Sequence, residues 1–237
     1  MVYPTYHCPR IDINATADPV DINNKMHQVI QLLSKVTQRY APSRLLSFDL
    51  VHVLKTMQLM ENKKRISRSL LVRELGLGEG SVKTLVKHLK MYELVENSNA
   101  GMWFTNKGKT VYAKLHNIIP EEMNIPKCSV ALGKFNYAVL VKDLAYAVRS
   151  GIEQRDAAIK CGAIGATTLI FKKGSFLMPD RRQDSFRNNP KVHSMIIKKL
   201  RPEDDDVIII GSAEDEKTAE MAAKSAALQT IAEHEKH

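Results

Sequence analysis

The chain has 237 residues, a mass of 26.7 kDa and 35 Lys+Arg against 26 Asp+Glu, a formal charge of +9. With 44% hydrophobic and 26% charged residues, the composition excludes wholesale disorder and collagen-like repeats, and the length suits one large domain or two of about 100–150 residues. No apolar run approaches the roughly 18 residues of a membrane helix, and Met1–Tyr6 lacks the charged-then-apolar layout of a secretory signal. Cys8, Cys128 and Cys161 are odd in number and far apart. A disulfide framework is not expected, and without a C-x-x-C pair neither is a zinc site. These features together read as a soluble, cytoplasmic protein.

In chain order, residues 1–21 are rich in Pro, Asn and Asp and read as an extended arm. Met26, Val29, Ile30, Leu33 and Val36 recur at helical spacing and predict a helix from Asn23 to Tyr40, broken by Ala41-Pro42-Ser43. Ser47 is the expected cap of a second helix to Glu61, and Ser67 that of a short helix Arg68–Leu75. Between them Lys63-Lys64-Arg65 reads as a solvated loop, with phosphate contact as the alternative. After the turn Gly76-Leu77-Gly78, Val82, Leu85, Val86 and Leu89 form one apolar stripe on a helix Glu79–Met91. Two short strands follow around Asn97–Gly101, then a helix capped by Thr105. Pro120 and Pro126 bracket an expected linker.

Beyond it, Tyr137–Lys142 and Leu144–Arg149 read as strands and Ile152–Cys161 as a helix. Ala166–Lys172 and Ser175–Met178 read as a hairpin. Val207–Ile210 is apolar throughout, as a central strand buried on both faces would be. A long Ala-rich helix from Glu214 to Glu233 closes the chain, and Pro179–Arg201 is basic without clear periodicity. The fold class expected is α+β: an arm and helix (1–43), a winged helix-turn-helix domain (44–119), and a small α/β sheet domain (127–237).

The positive charge is concentrated. Residues 44–118 hold thirteen basic and six acidic side chains, a net +7, while the flanking segments hold +1 each. Such a segment attracts a polyanion, although a merely solvated basic face has the same composition. Helix, short helix, Gly-bearing turn, helix and hairpin form, in that order, a winged helix-turn-helix. Its apolar stripe anchors the second helix of the motif and leaves a basic face free for a major groove about 12 Å wide. Ser81, Lys83, Thr84, Lys87 and His88 are therefore assigned to the groove. Arg68, Arg73 and Lys90 are assigned to phosphates, and the wing-tip residues Asn97 and Asn99 to the backbone or minor groove. Trp103 alternates with the inward Met102 and Phe104, and packing within the domain is its expected role.

Ser47-Phe48, His52-Val53-Leu54-Lys55 and Leu75-Gly76-Leu77-Gly78-Glu79-Gly80-Ser81-Val82 resemble archaeal winged-helix proteins of the transcription-regulator type. Gly151–Lys160 and Gly162–Leu169 are similar to an uncharacterised C-terminal domain fused to them. The resemblance covers residues 44–212. It implies DNA binding but brings no ligand and no catalytic residue.

In the second half, Glu153, Arg155, Asp156, Thr167 and Thr168 around the Gly162/Gly165 loop are candidate contacts for a polar effector; the alternative is a capped helix whose charges pair with one another. A nucleotide site at Val207–Glu216 is rejected, because Glu214, Asp215 and Glu216 would repel phosphate from the helix start. No spacing of Cys128, Cys161 and His193 argues for a nucleophile and base, and His7 with Cys8 is too sparse for a metal. No enzyme, cofactor or metal is expected. Lys172–Arg201 carries nine bases and two acids, and Glu203–Lys236 ten acids and three bases. The two blocks are expected to face each other within the domain, with a facing across a dimer as the alternative. A homodimer is expected from the paired half-sites such regulators read and from the apolar stripe of the Asn23–Tyr40 helix. The leading expectation is a sequence-specific regulator that binds double-stranded DNA, with a possible small-molecule effector. The alternative is a winged-helix protein-interaction or RNA-associated factor.

Overall fold

The computed structural model describes residues 19–38 and 46–234. Residues 1–18 of the expected arm, with His7 and Cys8, the break at Ala41-Pro42-Ser43 and Arg44 lie outside them, while 19–21 of that arm belong to the first helix, which starts four residues before Asn23. Helix α1 (Pro19–Val36) ends earlier than Tyr40, in a turn where the Thr37 hydroxyl donates to the Ser34 carbonyl at 2.9 Å. Val29, Ile30, Leu33 and Val36 are all buried, in the cluster that also holds the apolar face of α5 (Asn106–Ile118). The stripe expected to serve a dimer is thus consumed by the chain's own core.

Helix α2 (Leu50–Lys63) is capped by Asp49, not Ser47. Asp49 Oδ1 accepts from Val51 N, and His52 at N3 completes a reciprocal capping box. Phe48 before the cap and Val53 at N4 are both buried, the positions of a hydrophobic staple, so Phe48 must stay outside the helix and fixes its start. Ser67 caps α3 (Arg68–Leu75) as expected, and Gly76 closes it at φ 68°, a left-handed value that glycine adopts without strain. Helix α4 (Glu79–Met91) and the hairpin β1 (Val95–Ser98) and β2 (Gly101–Phe104) follow. Ile66 pairs with Met102, so the α2–α3 connection lies as a third extended segment beside β2 of the wing.

The C-terminal half is a five-stranded sheet in the order β3-β4-β7-β5-β6: β3 (Glu122–Ile125), β4 (Phe135–Val141), β5 (Gly165–Lys172), β6 (Ser175–Leu177) and β7 (Val207–Ala213). Every pairing is antiparallel. The apolar run of β7 lies at the centre and is buried throughout. Two expectations fail here. The Pro-bracketed linker contains β3, which takes strand form by pairing with β4. Leu144–Arg149 is not a strand but a short 3-10 turn at Ala145–Ala147. Asp143 turns the chain at φ 53° with its N–H on the Asp206 carboxylate, and both flanks of β4 are already occupied by β3 and β7.

Alternation divides the sheet's two faces. Val139, Val141, Val207 and Ile209 pack with α8 (Glu216–His234) and, in one continuous core, with the winged-helix half. Leu140, Leu169, Phe171, Ile208 and Ile210 face α7 (Pro190–Leu200), the ordered part of the basic stretch. The basic and acidic blocks therefore lie mainly on opposite faces rather than against each other. Their charged groups meet at the loop before β7, where the Asp204 carboxylate accepts from Lys173 N and Asp205 lies near Lys172. Asp215 caps α8 from outside, so the helix starts two residues later than expected. A Cβ on Gly211 would sit 2.5 Å from the Ala219 carbonyl; the missing side chain and the alanines of α8 let helix and sheet approach closely.

Candidate nucleic-acid interface

Helix α4 has the division its sequence demands. Val82, Leu85, Val86 and Leu89 are buried, while Lys83, Lys87 and Lys90 are exposed with no acidic partner among the described residues. Some lysines elsewhere pair with carboxylates, Lys64 with Glu61, Lys107 with Glu93 and Lys142 with Glu203 and Asp206, while others, such as Lys191, Lys198 and Lys199 of α7, are exposed without an acidic partner among the described residues, as those of α4 are. The unpaired lysines of α4 form one positive strip. Ser81 and Thr84 are half-buried along it, and the Thr84 hydroxyl donates to Gly80 O at 3.0 Å.

His88 does not belong to that strip. Only 4% of it is exposed, and its imidazole donates to the Val36 carbonyl, Nδ1 to O 2.6 Å, with the Phe48 ring edge-on at 5.5 Å. The groove assignment is corrected: His88 faces inward, one turn from Leu85, and ties α4 to the end of α1. Arg73 is exposed but paired with Glu74, at 3.0 Å.

Three of the remaining predicted residues converge. Arg68, Asn97 and Asn99 line one cleft of about 330 Å³ between the start of α3, the wing tip and α4, floored by Ile66, Val86 and Met102. Ser67 and Ser98 share its rim; the sequence marks Ser67 only as a cap, so this second use has no separate signal. Asn97 Oδ1 is buried without a partner in this cleft. On the outer wing face, Trp103 is half-buried and carries the Arg65 guanidinium 4.6 Å above its ring.

The candidate effector residues do not meet. Thr167 and Thr168 are adjacent on β5 and point to opposite faces of the sheet, Thr168 sharing its face with Ile209 and Thr167 with Ile210. Thr168 is buried beside Gly151. Glu153 and Asp156, on α6 (Ile152–Lys160), instead line a cavity of about 320 Å³ with Asp49, Lys160, Cys161, Ser225 and Gln229. Arg155 lies outside it, its stem near Gly165. The cavity touches the cap of α2, so it opens between the two halves. Sequence reading misses its other residues because they come from three separated elements. Burial acts to raise the Asp49 carboxyl, but the hydrogen bond and charge of His52 outweigh it and hold it below the usual carboxylate value. Burial pushes the Cys161 thiol up, toward its neutral form. Among the described residues no His, Cys, Asp and Glu group has the layout of a metal site.

Residues 50–119 match a family model described as the CggR N-terminal DNA binding domain. The chain carries a winged helix-turn-helix of the DNA-binding type. Residues 132–231 match a model described as a domain of unknown function, DUF4443. Among solved structures, the chain is similar to hypothetical protein PH0730 from Pyrococcus horikoshii OT3, at 29% identity and a TM-score of 0.60. That likeness covers 78% of this chain and 91% of the other. No curated protein matches. Among the described residues, no helix is long and apolar enough to cross a membrane.

Proposed function

We propose that this chain is a sequence-specific transcriptional regulator of the archaeal winged-helix type, acting on duplex DNA in the cytoplasm by binding rather than by catalysis. Residues 44–119 serve as the DNA-binding domain behind the arm and helix of 1–43, and 127–237 as the sensing or assembly domain. Helix α4 enters the major groove with Ser81, Lys83 and Thr84 toward base edges and Lys87 and Lys90 toward phosphates. Arg68, Asn97 and Asn99 meet the backbone beside it, with Arg73 at the edge of the contact. The observation that carries this reading is the strip of exposed, unpaired lysines on a helix whose other face is wholly buried. The match of residues 50–119 to a DNA-binding domain supports it. A small effector is assigned to the cavity between α2, α6 and α8, where it would touch both halves.

Fluorescence anisotropy on duplex DNA across a salt series tests the assignment. The parent's affinity falls steeply with salt, and Lys87→Ala and Lys90→Ala each flatten the log–log slope by about 1. Lys83→Ala with Lys87→Ala weakens binding with unchanged thermal stability. Parent-like duplex affinity in that double variant, or tighter binding of RNA than of duplex DNA by the parent, overturns the reading.

A further inference from the structure

Helix α6 is built inside out. Toward α8 and β5 it buries Gln154, Ala157 and Ala158, the small and polar members of the segment, with the Gln154 amide donating to the Thr230 hydroxyl of α8. Its two isoleucines go the other way: Ile152 is 50% exposed and Ile159 48%, with Ile164, just past the helix, at 54%. Three of the seven large apolar side chains found exposed among the described residues thus fall within residues 152–164. Single exposed apolar residues need no explanation, but a helix that hides alanine and presents isoleucine does.

The charges on this face give it a direction. At about 100° per residue, Ile152 and Ile159 form a ridge roughly 20° wide, with Arg155 on one flank and Asp156 on the other. The structure agrees: the Arg155 stem lies toward Gly165 on β5, whereas Asp156 borders the cavity toward α2 and α8. Both charged side chains are more than half exposed, and within one chain the Arg155 guanidinium meets the Asp156 carboxylate at 3.5 Å, so an interface between copies exchanges this exposed pair for two pairs between chains. Consider a two-fold axis running along the helix. Rotation places the Ile152–Ile159 ridge against its own copy and swaps the flanks, so that Arg155 faces the second copy's Asp156 and Asp156 its Arg155. An antiparallel pairing would set like charges together on both sides.

We propose that the outer face of α6, with Ile164, is an interface with a second copy of this chain, the two α6 helices side by side and parallel about a two-fold axis. The surface is self-complementary in both shape class and charge, as an isologous contact requires. It replaces the α1 stripe as the dimer surface, and rests on the regulator reading only for its expectation of paired half-sites.

The full chain is examined by light scattering after size exclusion, at concentrations up to about 100 µM. The parent is expected at twice the 26.7 kDa chain mass, and Ile152→Asp with Ile159→Asp at the monomer mass with an unchanged thermal melt. Arg155→Asp alone raises the dimer dissociation constant at least tenfold, and Arg155→Asp with Asp156→Arg restores it. A monomeric parent, a double-isoleucine variant that keeps the parent's mass, or a charge swap that fails to rescue overturns the proposal. Duplex binding by each species is measured separately: a monomeric parent that still binds DNA sinks this interface alone, and a dimer that binds no DNA sinks the regulator reading alone.

Discussion

At the scale of single residues, two neighbours on α4 show how one turn of helix separates structure from recognition. Lys87 is exposed and unpaired, whereas His88 is buried and spends its proton on the Val36 carbonyl. Removing Lys87 alters the surface field and leaves the core intact. Removing the His88 ring empties core volume beside Phe48 and strips the Val36 carbonyl of its donor, a loss of about 2 kcal/mol or more. Urea denaturation therefore shows His88→Ala clearly destabilised and Lys87→Ala within about 0.5 kcal/mol of the parent. The sequence hides this distinction because His88 sits at the margin of the apolar stripe, where helical spacing alone allows either face. What decides is a contact with Val36, 52 residues away.

Among the elements, legibility follows the source of each one's order. Helices α3 and α4 and the turn between them were readable to the residue, since caps, a C-terminal glycine and a complete apolar stripe are all local. The hairpin and α5 were readable for the same reason. Strand β3 was not: Glu122-Met123-Asn124-Ile125 alternates polar and apolar, but over only four residues between two prolines, and its extended form comes from β4. Leu144–Arg149 erred in the opposite sense, with strand-like composition but no free strand edge to join. Helix α7 carries an apolar stripe of Val192, Ile196 and Leu200 at helical spacing, but it occupies only the second half of a longer basic stretch whose first half forms no helix. The site divides likewise. The α4 strip is contiguous and was visible, whereas the cavity lining is assembled from α2, α6 and α8. Close approach between elements is also invisible locally. Gly108 looks like a poor residue for the first turn of a helix, yet a Cβ there would lie 1.9 Å from the Leu94 carbonyl. That contact seats α5 directly on the backbone leading into the wing. Because the obstacle is backbone, no side chain can yield, and Gly108→Ala is expected to cost about 3 kcal/mol despite alanine's better helix propensity. Chemical denaturation gives that cost, and a Gly108→Ala protein as stable as the parent would show that α5 can lift away freely.

Across the whole molecule, the two halves share apolar core and a buried ionic cluster, and the cluster governs the response to pH. Lys55 on α2 is 5% exposed and meets Glu220 on α8 at 2.8 Å; Lys224, 1% exposed, bonds the same carboxylate and Glu122 of β3. Gln58 of α2 donates to Glu122 as well. Burial acts to raise the Glu220 carboxyl, but Lys224 and Lys55 outweigh it and hold the group below its ordinary 4.5. A carboxyl lowered by folding lends stability that is complete above 4.5 and drains away as the pH falls through the lowered value. Glu220→Gln leaves Lys55 buried with no carboxylate, which at pH 7 costs about 3 kcal/mol. The variant also lacks the carboxyl whose protonation undermines the parent, so the gap between the two narrows steadily below pH 4.5. Denaturation midpoints measured from pH 7 down to pH 3 check both the cost and its decline. A gap that stays constant over that range would mean that Glu220 contributes packing alone, and that the winged helix is held to the sheet by its apolar core without help from charge.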